Sequence, residues 1–345
     1  MTAPNPETKT SQSPLTQTRN PNMSSATLAK PNQGFDVKKF LANNGALVGL
    51  LVLALALFII TPDFLTGPNL LNIGIQVSTV AILAFGMTFV IVAGGIDLSV
   101  GSVAALSAMV SGYMFVSFGL PGGLALLAGL LTGLVVGTVN GVASAYGKLP
   151  SFIATLAMLS IARGLTLVIS DGRPIKTAPE VSFLGGNIGP VPTPIIVLVV
   201  AAAVASFILN RTVMGRSMYA VGGNAEAARL SGLPVKQITV TVFALAGLFA
   251  ALAGLLLAGR LDSAQPQAAA GYELDAIAAV VIGGASLAGG VGRISGTIVG
   301  ALVLVVIRNG LNLLNVTSFW QQVVIGVVIA LAVGMDVLRR KTRSS

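Results

Sequence analysis

Long apolar segments alternate with short polar ones from about residue 46 almost to the C-terminus. A bilayer core about 30 Å thick requires about 20 mostly apolar residues in each spanning helix. Scanning for such segments predicts about ten membrane-spanning helices, some of which can be broken or re-entrant. The predicted spans lie near residues 46–65, 71–93, 100–118, 122–146, 151–170, 192–209, 238–259, 273–290, 292–309 and 319–337. The pattern therefore predicts an all-α, polytopic membrane protein.

Composition supports this prediction and excludes several functional classes. Of the 345 residues, 54% are hydrophobic and 9% are charged, whereas soluble domains carry about 25% charged residues. The chain has no Cys and no His, which excludes thiol nucleophiles, disulfides, Cys/His metal sites and catalysis by an imidazole base. We therefore expect no enzymatic activity, no cofactor and no metal on this chain.

Two regions differ in composition. Residues 1–34 are rich in Ser, Thr, Pro, Asn and Gln and cannot bury enough apolar surface to fold alone, so they are predicted to form a disordered cytoplasmic tail. Residues 35–345 form the predicted transmembrane domain, which includes a polar loop at 210–237.

The distribution of basic residues predicts the orientation, because cytoplasmic loops carry an excess of Lys and Arg. The segments between apolar runs place Arg173, Lys176 and Arg260 on one side. The other side receives Lys38, Lys39, Lys148, Arg211, Arg216, Arg229, Lys236, Arg293, Arg339, Arg340, Lys341 and Arg343. Both termini and the loop 210–237 are thus predicted to be cytoplasmic. The net charge is +9, and the Lys and Arg residues that carry it lie between apolar segments and at the two ends of the chain. A nucleic-acid binder would cluster them on a solvated face, so lipid is the expected partner and nucleic acid is not.

A short helix is predicted within the cytoplasmic loop. Asn224 suits the N-cap, and Gly232 suits the left-handed position after the helix. The acidic Glu226 lies near the N-terminus and the basic Arg229 towards the C-terminus, which is the arrangement that the helix dipole favours. A helix of about seven residues is marginal in water because nucleation is costly. It therefore needs a surface to dock on, which is either a soluble partner subunit or the lipid headgroups.

Acidic residues interrupt the apolar pattern at two places. Asp97 and Ser99 lie in the segment GGIDLSVG at 94–101, and Glu273 and Asp275 begin the eighth apolar segment. A carboxylate at membrane depth costs about 2.5–3.5 kcal/mol on insertion scales. Two interpretations remain open for each acid: it lines a translocation path or gate, or it caps the helix that follows. For Asp97 the second interpretation places the carboxylate at the cytoplasmic interface.

Glycines recur at four-residue spacing in two of the apolar segments. This spacing puts small residues on one helix face and lets backbones approach closely, so both ladders are predicted to be packing faces. Their recurrence hints at an internal duplication. The ladders consist of Gly129, Gly133, Gly137 and Gly141, and of Gly292, Gly296 and Gly300.

Four segments together resemble the ribose, xylose and galactose permease family of bacterial ABC importers, and most of all its ribose-type members. The resemblance extends from about residue 40 to 338. It is carried by GGIDLSVGS at 94–102, VGGNAEAARLSG at 221–232, GRLDSAQP at 259–266 and GYELDAIAAVVIGGASLAGGVGRISGTIVGA at 271–301.

The resemblance implies the permease subunit of an importer that moves a monosaccharide across the bacterial inner membrane, and ribose is the first candidate substrate. It implies a homodimer that pairs with a cytoplasmic ABC ATPase, which binds ATP and Mg²⁺, and with a periplasmic sugar-binding protein. The acids Asp97, Glu273 and Asp275 suggest a proton-coupled secondary sugar transporter as the alternative. The expected ATPase-coupling residues are Gly222, Gly223, Asn224, Glu226, Ala227, Ala228, Arg229 and Gly232.

Overall fold

The computed structural model describes residues 37–344, with side chains described for residues 45–334, so the predicted tail at 1–34 lies outside the described residues. The helices of this range are α1 (Val37–Ile60), α2 (Gly67–Val92), α3 (Val100–Val116), α4 (Gly122–Ala145), α5 (Ser151–Ser170), α6 (Pro179–Gly185), α7 (Thr193–Arg211), α8 (Val213–Gly223), α9 (Ala225–Leu230), α10 (Val235–Leu261), α11 (Tyr272–Ile282), α12 (Ile294–Leu313) and α13 (Ser318–Ser344). Two antiparallel pairs of short strands join β1 (Ile175–Lys176) to β4 (Ser263–Ala264) and β2 (Asn187–Ile188) to β3 (Val191–Pro192). The all-α prediction is confirmed.

Most of the predicted spans correspond to helices. In the described range α2, α4, α5, α7, α10 and α12 are long and apolar enough to cross a membrane, and shorter apolar stretches lie in α1, α3 and α13. The eighth prediction, 273–290, is wrong as a full span because α11 has only 11 residues. At about 1.5 Å per residue it covers about half of a bilayer core. Gly284, with φ +91°, turns the chain directly after it.

The helix ends define two ends of the bundle. The C-terminus of α2 and the N-terminus of α10 meet α8, and Ser144 near the C-terminus of α4 lines a cavity there with Val221 of α8 and Ala225 of α9. We name this the α8–α9 end. The segment 171–192, with α6 and β1, meets the C-terminus of α10 and β4 through the pairing of Ile175 with Ala264. We name this the ribbon end.

Helices α2 and α10 form the centre of the bundle. Every residue of α2 from Val77 to Val92 is buried, and the ring of Phe89 meets that of Phe249 in α10 edge to face at 5.7 Å. The outer helices bury only one stripe, and Leu131 and Val135 of α4 are about half exposed. An apolar outer surface around a buried centre is the arrangement expected of a protein surrounded by lipid.

Both predicted glycine ladders pack against neighbouring helices, which confirms their structural role. A Cβ atom at Gly137 of α4 would overlap the backbone oxygen of Phe243 in α10. In the same way, a Cβ atom at Gly300 of α12 would overlap the backbone oxygen of Ala279 in α11. These two helix pairs are therefore in backbone-to-backbone contact.

The architecture supports the internal duplication that the ladders hinted at. The halves α2–α5 and α10–α13 each begin with a long central helix, continue through an irregular segment into a shorter helix, and then enter a glycine-ladder helix. Helix α4 packs on α10, and α12 reaches α2 through a hydrogen bond between Thr88 and Thr297 at 2.8 Å. Because α2 runs towards the α8–α9 end and α10 runs away from it, the halves have inverted topology, as in many transporters.

Candidate functional site

Helix α9 has the predicted caps at both ends. The side-chain oxygen of Asn224 accepts a hydrogen bond from the backbone N–H of Ala227 at 2.9 Å, and Gly232 has φ +85°. Glu226 and Arg229 form an ion pair at 2.6 Å, and the hydrogen bond from Arg229 lowers the pKa of Glu226. The sequence interpretation missed this pair, although the spacing of three residues brings two side chains to one helix face.

The expected ATPase-coupling residues are mostly on the surface. Gly223, Ala227 and Gly232 are exposed along with the ion pair, whereas Ala228 is buried and Gly222 is half-buried. Leu230, at the end of α9, is 73% exposed. Helix α9 therefore presents a charged and partly apolar face that the rest of the described chain does not cover.

Gly222 of α8 lies where two irregular segments of the bundle meet. A Cβ atom on Gly222 would overlap the backbone oxygen of Val92, which accepts a hydrogen bond from the N–H of Gly290 at 2.9 Å. A Cβ atom on Gly289 would lie 3.0 Å from the Cα atoms of both Gly222 and Gly94. We name the contact of Gly94, Gly222, Gly289 and Gly290 the glycine junction. It joins α8 to the segments that follow α2 and α11.

A side-chain hydrogen bond supports the glycine junction from the next turn of α8. The hydroxyl of Tyr219 donates to the backbone oxygen of Gly292 at 2.7 Å. No sequence signal pointed to Tyr219, because its acceptor is a backbone atom 73 residues away. Helix α8 is thus attached by a hydrogen bond to the segment that leads into α12.

Asp97 and Ser99 lie inside a polar network. The Asp97 carboxylate accepts hydrogen bonds from the Ser99 backbone N–H at 2.8 Å and from the Ser99 hydroxyl at 2.7 Å. The side-chain amide of Asn140 in α4 donates to the Ser99 hydroxyl at 2.9 Å. Asp97 is only 1% exposed, and its hydrogen bond with the Ser99 N–H is the contact with a backbone amide that the capping interpretation expects. The network attaches the start of α3 to α4.

Two hydroxyl groups of α5 bind the backbone of the same segment. Thr155 accepts from the N–H of Leu98 at 3.1 Å, and Ser151 accepts from the N–H of Ile96 at 3.3 Å. These side chains satisfy amides that the break between α2 and α3 leaves without helical partners. The sequence interpretation missed them because hydroxyl side chains are common in apolar helices and the distant N–H groups that donate to them are set by packing.

Asp275 forms an ion pair within the bundle. One guanidinium nitrogen of Arg308 in α12 donates to both carboxylate oxygens of Asp275, at 2.7 and 2.9 Å. The side chain of Asp275 is 3% exposed and that of Arg308 is 28% exposed. The interpretation of Asp275 as a helix cap is therefore wrong, because the residue binds a neighbouring helix instead of its own N-terminus.

Glu273 does not cap α11 either. Gly271, with φ +83°, is the residue before the helix, and the helix start has no side-chain cap. One carboxylate oxygen of Glu273 is buried without a hydrogen-bond partner among the described residues, and a Cβ atom on Gly101 would overlap it. The starts of α3 and α11 therefore touch each other inside the bundle.

Two cavities lie at opposite ends of α2 and α10. The ribbon-end cavity, of about 250 Å³, is lined by Gln76, Thr79, Val80, Leu257, Arg260, Tyr272, Val305 and Arg308. The second cavity, of about 230 Å³, lies at the α8–α9 end, where Gly94, Gly95, Ser144, Val221, Ala225 and Phe243 are among its lining residues. Neither Asp97 nor Glu273 lines them, and Asp275 reaches the first only through Arg308.

Three aromatic rings lie between the two cavities along the central helices. Phe249 of α10 meets Phe85 and Phe89 of α2 edge to face, with ring centroids 6.4 and 5.7 Å apart. All three side chains are buried. This aromatic barrier separates the polar lining at one end of the bundle from the glycine junction at the other.

The family comparison agrees with this architecture. The family model described as "Branched-chain amino acid transport system / permease component" matches residues 69–333. The ribose import permease protein of Bacillus subtilis (strain 168) is 48% identical over 302 residues, which cover 85% of this chain and 92% of the relative. That of Escherichia coli (strain K12) is 47% identical over 305 residues, with 87% and 95% covered.

The L-arabinose transport system permease protein of Escherichia coli (strain K12) is 39% identical over 315 residues, which cover 91% of this chain and 96% of the relative. No solved structure matches the chain. The resemblance identified from the four sequence segments is confirmed. The chain therefore belongs to this family of transport-system permease components, within which it is similar to ribose import permeases.

Proposed function

We propose that this chain is the membrane subunit of an ABC importer that moves a monosaccharide across the bacterial inner membrane, with ribose as the first candidate. The observation that carries the proposal is the identity of 46–48% to three ribose import permeases along at least 85% of this chain. The chain supplies the path, and a partner ATPase that binds ATP and Mg²⁺ supplies the energy.

The proposed substrate class follows the curated relatives and not the description of the family model. That description refers to branched-chain amino acids, but the relatives are named for ribose and L-arabinose. A free amino acid requires partners for both a carboxylate and an ammonium group. Among the described residues, the lining of the ribbon-end cavity includes Arg260 and Arg308 but no Asp or Glu, so it offers an ammonium group no carboxylate partner. A neutral, hydroxyl-rich solute fits that lining better.

The face of α9 is the proposed docking site for the ATPase. Its six-residue helix is too short to be stable by itself in water, yet it is capped at both ends and presents exposed Glu226, Arg229 and Leu230. The glycine junction provides a route from this site into the bundle, because Gly222 contacts the segments that follow α2 and α11. Movement of α8 would therefore act directly on both segments.

The orientation proposed from the basic residues assigns the α8–α9 end to the cytoplasm. Arg211, Arg216, Arg229 and Lys236 lie in or next to α8 and α9, in agreement with the positive-inside rule. The ribbon end then faces the periplasm, where the segment 171–192 is available to a sugar-binding protein. A second copy of the chain completes the proposed homodimer.

The two cavities and the aromatic barrier are consistent with alternating access. A path along α2 and α10 would open alternately to the ribbon end and to the α8–α9 end, and the rings of Phe85, Phe89 and Phe249 would close it in between. In such transporters one half rocks against the other around a fixed site. The inverted halves of this chain provide the two bodies for such a motion.

Reconstitution tests the proposal. The permease is placed in proteoliposomes with its ATPase and binding protein, and uptake of radiolabelled D-ribose is measured with ATP inside or without it. We expect uptake only when both partners and ATP are present. Uptake by the permease alone would refute the proposal, and uptake abolished by a protonophore at constant ATP would instead support the proton-coupled alternative.

A further inference from the structure

We propose that the ribbon-end cavity is a sugar-binding site of the permease itself, in which Thr79 and Gln76 of α2 bind hydroxyl groups of a neutral monosaccharide. This inference rests on the proposed function. It adds a site on this chain, separate from that of any binding protein. The two residues assigned to it, Gln76 and Thr79, lie in none of the four segments that carry the family resemblance.

The hydroxyl of Thr79 carries the inference. Thr79 is 3% exposed and lines the cavity, while its hydroxyl oxygen is itself buried and has no hydrogen-bond partner among the described residues. A Thr in an apolar helix usually donates to the carbonyl four residues earlier, as Thr88 of the same helix does to Ala84 at 2.7 Å. A buried polar group without a partner is unfavourable. A ligand hydroxyl that reached this oxygen from the cavity would provide the partner.

The neighbouring groups suit a neutral ligand rich in hydroxyls. The side-chain amide of Gln76 donates to Asn72 at 3.1 Å, which fixes its orientation, and an amide can both donate and accept hydrogen bonds. Arg308 lies 5.8 Å from the ring centroid of Tyr272 and is paired with Asp275. The charge of Arg308 is balanced, so its remaining N–H groups can donate without requiring an anion, and the second arginine of the lining, Arg260, is exposed.

The position of the cavity suits a solute that enters from the ribbon end. Its lining comes from α2 of the first half and from α10, α11 and α12 of the second half, so it touches both inverted halves. Along α2, Thr79 precedes the aromatic barrier that begins at Phe85. A sugar bound at Thr79 would therefore wait on the ribbon side of that barrier until the two halves move.

The first experiment measures direct binding to the purified permease without its partners. The unfolding midpoint is recorded in detergent with D-ribose or with L-ribose at the same concentration, near 100 mM. Sugars stabilise proteins in general by exclusion from the surface, and this contribution is the same for two enantiomers. A higher midpoint in D-ribose than in L-ribose therefore reports a chiral site, since ligand binding to the folded state raises stability.

Thr79→Val removes the hydroxyl and conserves the shape of the side chain. We expect the difference between the enantiomers to disappear, and D-ribose uptake at low concentration by the complete transporter to fall about three- to tenfold, which corresponds to one neutral hydrogen bond. Without sugar, the midpoint of Thr79→Val should equal or exceed that of the unmodified chain, because the unpaired hydroxyl is gone. Thr79→Ser, which retains a hydroxyl, should restore both readouts.

Thr132→Val is the matched control, because the hydroxyl of Thr132 donates to the backbone of its own helix, to Ala128 at 2.8 Å. It should leave both the enantiomer difference and uptake unchanged. The inference is overturned if the unmodified chain does not distinguish the enantiomers, or if Thr79→Ser loses as much as Thr79→Val. Failure of the proposed function would give a different result. In that case D-ribose would stabilise the unmodified permease, but the complete complex would show no ATP-dependent uptake.

Discussion

Arg308 of α12 donates two hydrogen bonds from a single guanidinium nitrogen to the carboxylate of Asp275 in α11, at 2.7 and 2.9 Å. Helix α11 has only 11 residues, too few to span a bilayer core of about 30 Å. It therefore depends on its neighbours for its position. The ion pair attaches its first turn to α12, and the contact of Gly300 with Ala279 attaches its last turn.

Loss of Arg308 should destabilise the fold more than loss of the whole pair. The side chain of Asp275 is 3% exposed, and Arg308→Met leaves its carboxylate without a cation. Breaking a buried ion pair in this way lowers the free energy of unfolding by about 3–5 kcal/mol. Adding Asp275→Leu removes the uncompensated charge and should recover most of the loss. The measurement is the free energy of unfolding in mixed micelles. Equal destabilisation by the single and double substitutions would contradict this role of the pair.

Glycine packing makes Gly137 sensitive to a single methyl group. A Cβ atom there would overlap the backbone oxygen of Phe243, and overpacking of this kind typically costs about 1–3 kcal/mol. Gly137→Ala should therefore lower the free energy of unfolding. Gly164→Ala in α5 is the control, because no atom lies within 4 Å of a Cβ atom there, and it should be neutral or slightly stabilising. Similar effects of the two substitutions would count against the close contact of α4 with α10.

Tyr219→Phe should weaken the link between α8 and the segment before α12. It removes a hydrogen bond of 2.7 Å to Gly292, which contributes about 1 kcal/mol net. We expect ATP hydrolysis by the complex to continue while uptake for each ATP falls. Tyr146→Phe is the control, since the ring of Tyr146 faces Lys236 at 5.1 Å and its side chain is 52% exposed. If Tyr219→Phe leaves the ratio of sugar uptake to ATP hydrolysis unchanged, the hydrogen bond of α8 with Gly292 does not contribute to coupling.

Glu226→Lys should impair docking of the ATPase without unfolding the permease. The ion pair of Glu226 with Arg229 lies on the surface, where such pairs contribute little to stability. The substitution puts two like charges on the docking face, so we expect weaker co-purification of the ATPase and lower uptake. The double substitution Glu226→Arg with Arg229→Glu restores the ion pair with the two charges exchanged. If transport requires only the pair, this variant should be active, and if it requires a carboxylate at position 226, the variant should be inactive. Unaltered transport by Glu226→Lys would refute the coupling role of α9.

The sequence alone determined the features that depend on neighbouring residues along the chain. Apolar segment length predicted the membrane helices, glycine spacing predicted the packing faces of α4 and α12, and Asn224 with Gly232 predicted the ends of α9. Each of these is a local property, since helix period and capping are set within a few residues. The four sequence segments also identified the family, and the comparisons confirmed it.

Only the tertiary structure decided which distant groups meet. It showed that α11 is a half-length helix, that Asp275 binds Arg308, and that Asp97 belongs to a buried network with Asn140. It also brought Thr79 to a cavity formed by four helices. These contacts join residues tens to hundreds of positions apart. They depend on how inverted halves cross in space, and no periodicity in the chain carries that information.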